Sequence, residues 1–180
     1  MQRCGACLGR PPPFDAAVAA WAYAFPIDRL LHALKYGGSL ALAEPFGQAL
    51  ASAAATRNDC RVDALVPLPL STARQRERGF NQAYEIARHV AAHLGVPLVR
   101  GLARIRDSAP QATLAWDARV RNLRGAFAAN VSVRGRHVAI VDDVMTTGAT
   151  LAAAANALRR AGACRVEAWV VARTPPPEPT

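Results

Sequence analysis

The residues Val138 to Thr150, VAIVDDVMTTGAT, hold the densest chemistry in the chain. Four apolar residues lead into two adjacent carboxylates, Asp142 and Asp143, then Val144 and Met145, then the run Thr146-Thr147-Gly148-Ala149-Thr150. Backbone N–H groups at a helix start, threonine hydroxyls and a glycine that permits close approach make a site for a phosphate dianion. Two carboxylates repel that anion, so they require a neutral donor beside it, and the vicinal hydroxyls of a ribose are donors that a carboxylate accepts in pairs. Phosphate and diol together describe a ribose 5-phosphate. Any one of these residues would also suit a strand-end aspartate followed by a threonine-capped helix, but the whole run fits that reading poorly.

Other phosphate sites have requirements that can be checked. A P-loop needs a lysine after its glycine loop and a dinucleotide fold needs a GxGxxG turn, and neither pattern occurs. An acidic pair at a strand end also suits Mg²⁺ in phospho-acceptor domains, but that leaves the threonine and glycine run unexplained.

Such a motif needs a strand to carry it and a helix to receive it. His137 to Val141 reads as a compact buried strand, Gly148 to Ala161 as a helix ended by Gly162, and Arg165 to Ala172 as a final strand. Upstream, Val18 to Phe25 suits a strand. Ile27, Leu30, Leu31 and Leu34 recur at helical spacing and stop at Gly37-Gly38, and Leu40 to Ala55 continues as an alanine-rich helix. Val62 to Val66 is a strand that ends at Pro67 and leads into a basic loop reaching Gly79, after which Asn81 opens a helix to about Leu94. Val96 to Val99 suits another strand, and Arg100 to Ala128, without sustained periodicity, suits a surface excursion. Strand, helix, strand repeated in this way implies an α/β domain with a parallel sheet flanked by helices, where ligands gather at the carboxyl ends of the strands.

The chain has 180 residues, 52% hydrophobic but only 6% aromatic, enough for one alanine-rich core burying about 70% of the unfolded surface. Basic residues exceed acidic ones by nine, and all are arginine except Lys35. That charge suits an anionic partner such as a polyphosphate, a nucleic acid or an acidic protein surface. Neither a membrane span nor a signal peptide is apparent, so a cytoplasmic protein without membrane insertion is expected. In that setting the cysteines point to metal, redox or core positions before disulfides.

VAIVDDVMTTGAT resembles the 5-phosphoribosyl-1-pyrophosphate (PRPP) signature of type I phosphoribosyltransferases. Lys35-Tyr36-Gly37-Gly38, then VPLPLSTARQRERGFNQA (Val66 to Ala83), then Pro110-Gln111 with Arg119, Asn122 and Phe127, resemble the ComF/GntX family in the same order. The resemblance covers nearly all of the chain and implies a type I phosphoribosyltransferase fold over residues 14–175, with a Pro-rich tail over 176–180. It implies that Asp142 to Thr150 receive the ribose and 5-phosphate, and that Arg74, Arg76 and Arg78 beside Gly79 receive a pyrophosphate carrying Mg²⁺. Asp142 or Asp143 would then steady positive charge developing on the ribose as pyrophosphate leaves, with Lys35 and Gln111 closing over the site.

ComF-like proteins typically begin with a four-cysteine zinc ribbon. Residues 1–13 hold only the pair Cys4 and Cys7, half of a tetrahedral Zn²⁺ site. Cys60 and Cys164 suit core or boundary positions, and no histidine is assigned a catalytic role. The resemblance links the chain to DNA uptake in natural transformation, with DNA-uptake or replication-restart proteins as partners and oligomers possible. The acceptor is not legible: Trp21, Tyr23 and Phe25 are able to stack on a base but read better as core residues. A second reading is a non-catalytic adaptor binding single-stranded DNA or a DNA-processing partner through its arginines, and a third a PRPP-sensing regulator.

Overall fold

The computed structural model describes residues 9, 11–57, 61–106, 123 and 125–175. In chain order these form β1 (Ala16–Ala22), α1 (Ile27–Tyr36), a 3₁₀ turn (Leu40–Leu42), α2 (Ala43–Ala55), β2 (Ala64–Pro67), α3 (Thr72–Arg78), α4 (Gln82–Leu94), β3 (Leu102–Arg104), β4 (Phe127–Ala129), a second 3₁₀ turn (Val131–Val133), β5 (His137–Met145), α5 (Ala149–Arg160) and β6 (Arg165–Arg173).

β5 and β6 are near-continuous apolar runs because helices cover both of their faces. Four strands pair in parallel in the order β1-β6-β5-β2, and Leu98 bridges Leu65 in parallel on the far side of β2. Alternation divides the core. Ala64, Val66, Val138 and Ile140 pack with Leu151, Ala155 and Leu158 of α5, whereas Leu65, Ala139 and Val141 pack with Leu31 and Leu34 of α1, Leu50 of α2 and Ile86 and Val90 of α4. β2 therefore connects outward through α4 to Leu98, and β5 connects the other way through α5 to β6. The strand order reverses between β2 and β5, which opens a crevice at their carboxyl ends.

The expected parallel sheet and its helices are present, with three differences of detail. The stretch after Pro67 is not all loop, because Thr72–Arg78 is helical, with the Ser71 hydroxyl accepting from the Arg74 N–H at 3.3 Å and Gly79 ending the turn at φ +76°. Ala, Gln, Arg and Glu are strong helix formers behind such a cap. The Arg100 to Ala128 excursion is anchored at its ends, where Leu102 pairs with Ala129 and Arg104 with Phe127 in an antiparallel ladder. The second helix begins at Ala43 rather than Leu40, placing Pro45 in its first turn, where a missing N–H costs nothing.

Trp21 packs edge-on against Phe46 at 5.9 Å, and Tyr23 lies against the same core, as expected for both. Phe25 does not: it is 82% exposed, because β1 has already ended and the chain turns over the top of the sheet into α1.

Candidate functional site

β5 carries Asp142 and Asp143 to its carboxyl end, beside the reversal point. The alternation that buries Ala139 and Val141 turns Asp143 to the same side, where α1 and α4 meet it. Asp143 is 4% exposed, its Oδ2 lies 2.5 Å from Lys35 Nζ, and Gln82, the first residue of α4, stands close enough to favour its ionised form. Asp142 is half-buried, and its Oδ1 accepts the Asp143 N–H at 2.9 Å.

The two carboxyl groups are driven apart in charge. Burial opposes ionisation of Asp143, but the Lys35 ammonium, aided by hydrogen bonds from Lys35, Asp142 and Gln82, more than offsets it and holds Asp143 below the ordinary carboxylate range. Burial and then the Asp143 charge push Asp142 well above that range. Of the two, Asp143 is thus the one that more readily carries the negative charge.

The rest of the signature forms the turn into α5. Val144 is half-buried, and Met145 is 4% exposed and packs into the core, so its part in the site is main-chain. Thr146 and Thr147 are exposed, and Thr150 is half-buried in the first turn of α5. Gly148 stands at the N-cap with φ +76°, a conformation that L side chains rarely adopt, and offers no side chain to the helix end. The Ala149 N–H has a long contact, 3.4 Å, to Thr147 Oγ1. Exposed hydroxyls and a helix start without a side-chain cap are what an anion would complete.

The basic cluster divides. Arg74 and Arg76 lie on the exposed face of α3. Arg78 is half-buried: its Nη2 donates to Tyr36 Oη at 3.0 Å, its guanidinium lies 4.8 Å from the Tyr36 ring centre, and its Nε and Nη1 are buried without an acceptor. Because Tyr36 follows Lys35, the last turn of α1 touches both the signature strand and the basic helix.

The structure thus brings together Asp142, Asp143 and Lys35, joins Arg78 to them through Tyr36, and adds Gln82, for which no role is expected from the sequence. The sequence marks only the start of its helix, through Asn81, whose Oδ1 accepts the N–H groups of Ala83 and Tyr84; the approach of Gln82 to Asp143 comes from the fold. Gln111, Cys4, Cys7 and Cys60 lie outside the described residues, as do Arg119 and Asn122. Cys164 is exposed rather than core. His137 is at the opposite end of β5, 3.2 Å from the buried Glu167. Among the described residues no cluster of His, Cys, Asp and Glu suits a resident metal, and no helix is long and apolar enough to cross a membrane.

A crevice between two parallel strands where the topology reverses, with an acidic pair, a threonine-glycine turn and a basic helix around it, defines a phosphoribosyltransferase-type domain. The family model described as the phosphoribosyl transferase domain matches residues 81–178. The DNA utilization protein YhgH of Salmonella typhi is 37% identical over 95% of this chain and 78% of its own. Competence protein F of Haemophilus influenzae is 32% identical over 96% of this chain and 79% of its own, and competence protein ComFC of Bacillus subtilis 36% identical over 61% and 44%. The chain belongs to the phosphoribosyl transferase domain family, in the ComF branch that these relatives represent.

Proposed function

We propose that this protein binds PRPP with Mg²⁺ at the crevice between β2 and β5 and serves the uptake or use of DNA. The observation that carries the reading is the end of β5, where a carboxylate pair adjoins a helix start whose N-cap is a glycine. The 5-phosphate would take the N–H groups and hydroxyls of Thr146 to Thr150, and the ribose hydroxyls the acidic pair. The pyrophosphate would take Arg78, whose Nε and Nη1 have no acceptor, with Arg74 and Arg76 of the same helix as further candidates. The names of the relatives, DNA utilization and competence proteins, support the DNA connection.

The donor set suits Mg²⁺ that arrives with a polyphosphate, since such an ion takes one or two carboxylates plus phosphate oxygens rather than a protein cage. Asp142, the more open carboxylate, would hold it, and the ion would neutralise charge on the departing pyrophosphate. In transfer to an acceptor, the bond from the anomeric carbon to pyrophosphate breaks, positive charge grows on the ribose, and the carboxylate pair faces that charge. Calorimetry of PRPP with Mg²⁺ tests the binding step. Heat is expected with the wild type and not with an Asp142→Asn, Asp143→Asn double variant, and no heat with the wild type would sink the reading.

A specific observation favours a second reading, an adaptor that binds single-stranded DNA. Arg78 lies 4.8 Å from the ring centre of Tyr36, which is 56% exposed, so a cation and an open ring on which a base would stack stand together. DNA affinity that falls steeply with salt is its expected signature, and failure to bind at low salt would remove it.

A further inference from the structure

Lys35 is the only lysine of the chain, and it sits neither on the signature strand nor on the basic helix. It stands in the last turn of α1, its side chain 19% exposed, and it reaches one carboxylate of an adjacent pair. A single cation set against one of two neighbouring carboxylates destroys their equivalence. Asp143 is nearly sealed from solvent and held by Lys35 from α1 and Gln82 from α4. Asp142 is more open, and the group facing it is the N–H of Asp143.

We propose that Lys35 is a positioning residue: it ties Asp143 to α1, fixing the pair for the ligand's hydroxyls and leaving Asp142 as the carboxylate open to its cation. This deepens the PRPP reading and rests on it for the identity of the ligand. Geometry carries the proposal, and the opposite displacement of the two carboxyl groups from their ordinary range agrees with it. The tie has a second effect, because Tyr36, one residue on, holds Arg78. Fixing the last turn of α1 on Asp143 sets the distance between the carboxylate pair and the basic helix.

A single lysine makes the test direct. Protein grown with lysine carrying ¹³C at Cε gives one side-chain signal. Without ligand, Asp143→Asn is expected to move that signal several-fold more than Asp142→Asn, and equal movement by the two would overturn the proposal. With Mg²⁺ and PRPP, Lys35→Met is expected to weaken binding by roughly 10–100-fold, as loss of a supporting partner does at comparable sites. Lys35→Arg should bind within a few-fold of the wild type. Lys35→Met that binds as the wild type does would overturn the assignment. Should that variant not fold, the lysine signal in the two aspartate variants decides alone. Should the wild type bind no PRPP, the ligand reading fails, and the signal still decides whether Lys35 anchors Asp143.

Discussion

Asp142 and Asp143 are chemically identical and adjacent, yet their surroundings shift their proton affinities in opposite directions, and stability should follow with opposite signs. Asp143 is held below the ordinary carboxylate range, so it stabilises the fold above that range and the contribution is lost as pH falls through its lowered value. Asp143→Asn strands Lys35, and because that side chain keeps 19% of its surface in water the cost is near the low end for a broken buried pair, about 3 kcal/mol. Asp142 is raised, so its ionisation erodes stability as pH climbs from the ordinary range through the raised value. Asp142→Asn should therefore melt higher than the wild type at neutral pH, which thermal melts over a pH series will check. The same sign applies to the ligand: a cation at Asp142 must displace a proton. Binding of Mg²⁺ and PRPP should strengthen with rising pH and release protons, seen as a dependence of calorimetric heat on the buffer's ionisation enthalpy. In the sequence the pair, its strand and its diol chemistry were legible. Its asymmetry was not, since Lys35 and Gln82 come from elements that only the fold brings to it.

Among the elements, those with an apolar stripe or a strong cap could be read in advance, α1 from its leucine spacing and α4 from Asn81. α3 could not, because it is seven residues long and buries none of them, so no periodicity marks it against a basic loop. β3 and β4 are three residues each and pair across more than twenty positions, beyond any local pattern. At the start of α5, Gly148→Ala places a side chain at φ +76°, costing about 1–2 kcal/mol and weakening PRPP binding, with melting and calorimetry as the two readouts. Between α2 and α4 the fit is closer still: a Cβ on Gly47 would lie 2.5 Å from the His89 Cβ and 3.0 Å from the Ile86 carbonyl oxygen. Gly47→Ala should lower stability by about 1–3 kcal/mol on denaturant melts, through overpacking.

As a whole the molecule keeps its ligand chemistry and a buried charge network at opposite ends of one sheet. The network centres on Glu167, 2% exposed, which meets Arg57 at 3.0 Å, Arg165 at 3.3 Å, His137 at 3.2 Å and the Trp169 indole N–H at 2.9 Å, near the amino ends of β5 and β6. Glu167→Gln should cost about 3–5 kcal/mol of stability by removing the buried charge that Arg57 and Arg165 meet, while PRPP affinity in the folded fraction stays within two-fold. That the sheet is parallel followed from the repeated strand and helix units, but the Glu167 network did not, because its members are scattered and each alone reads as an ordinary charged residue. The other end has the opposite character, since the first turn of α5 has no side-chain cap from Gly148 and Arg78 keeps two buried N–H groups without acceptors. A polyanion seated there becomes part of the architecture, and by mass action a ligand at a hundred times its dissociation constant adds about 2.7 kcal/mol to the folded state. On the PRPP reading, the supply of the phosphorylated sugar would set how much of the chain stays folded, and so would tie its abundance to the metabolic state.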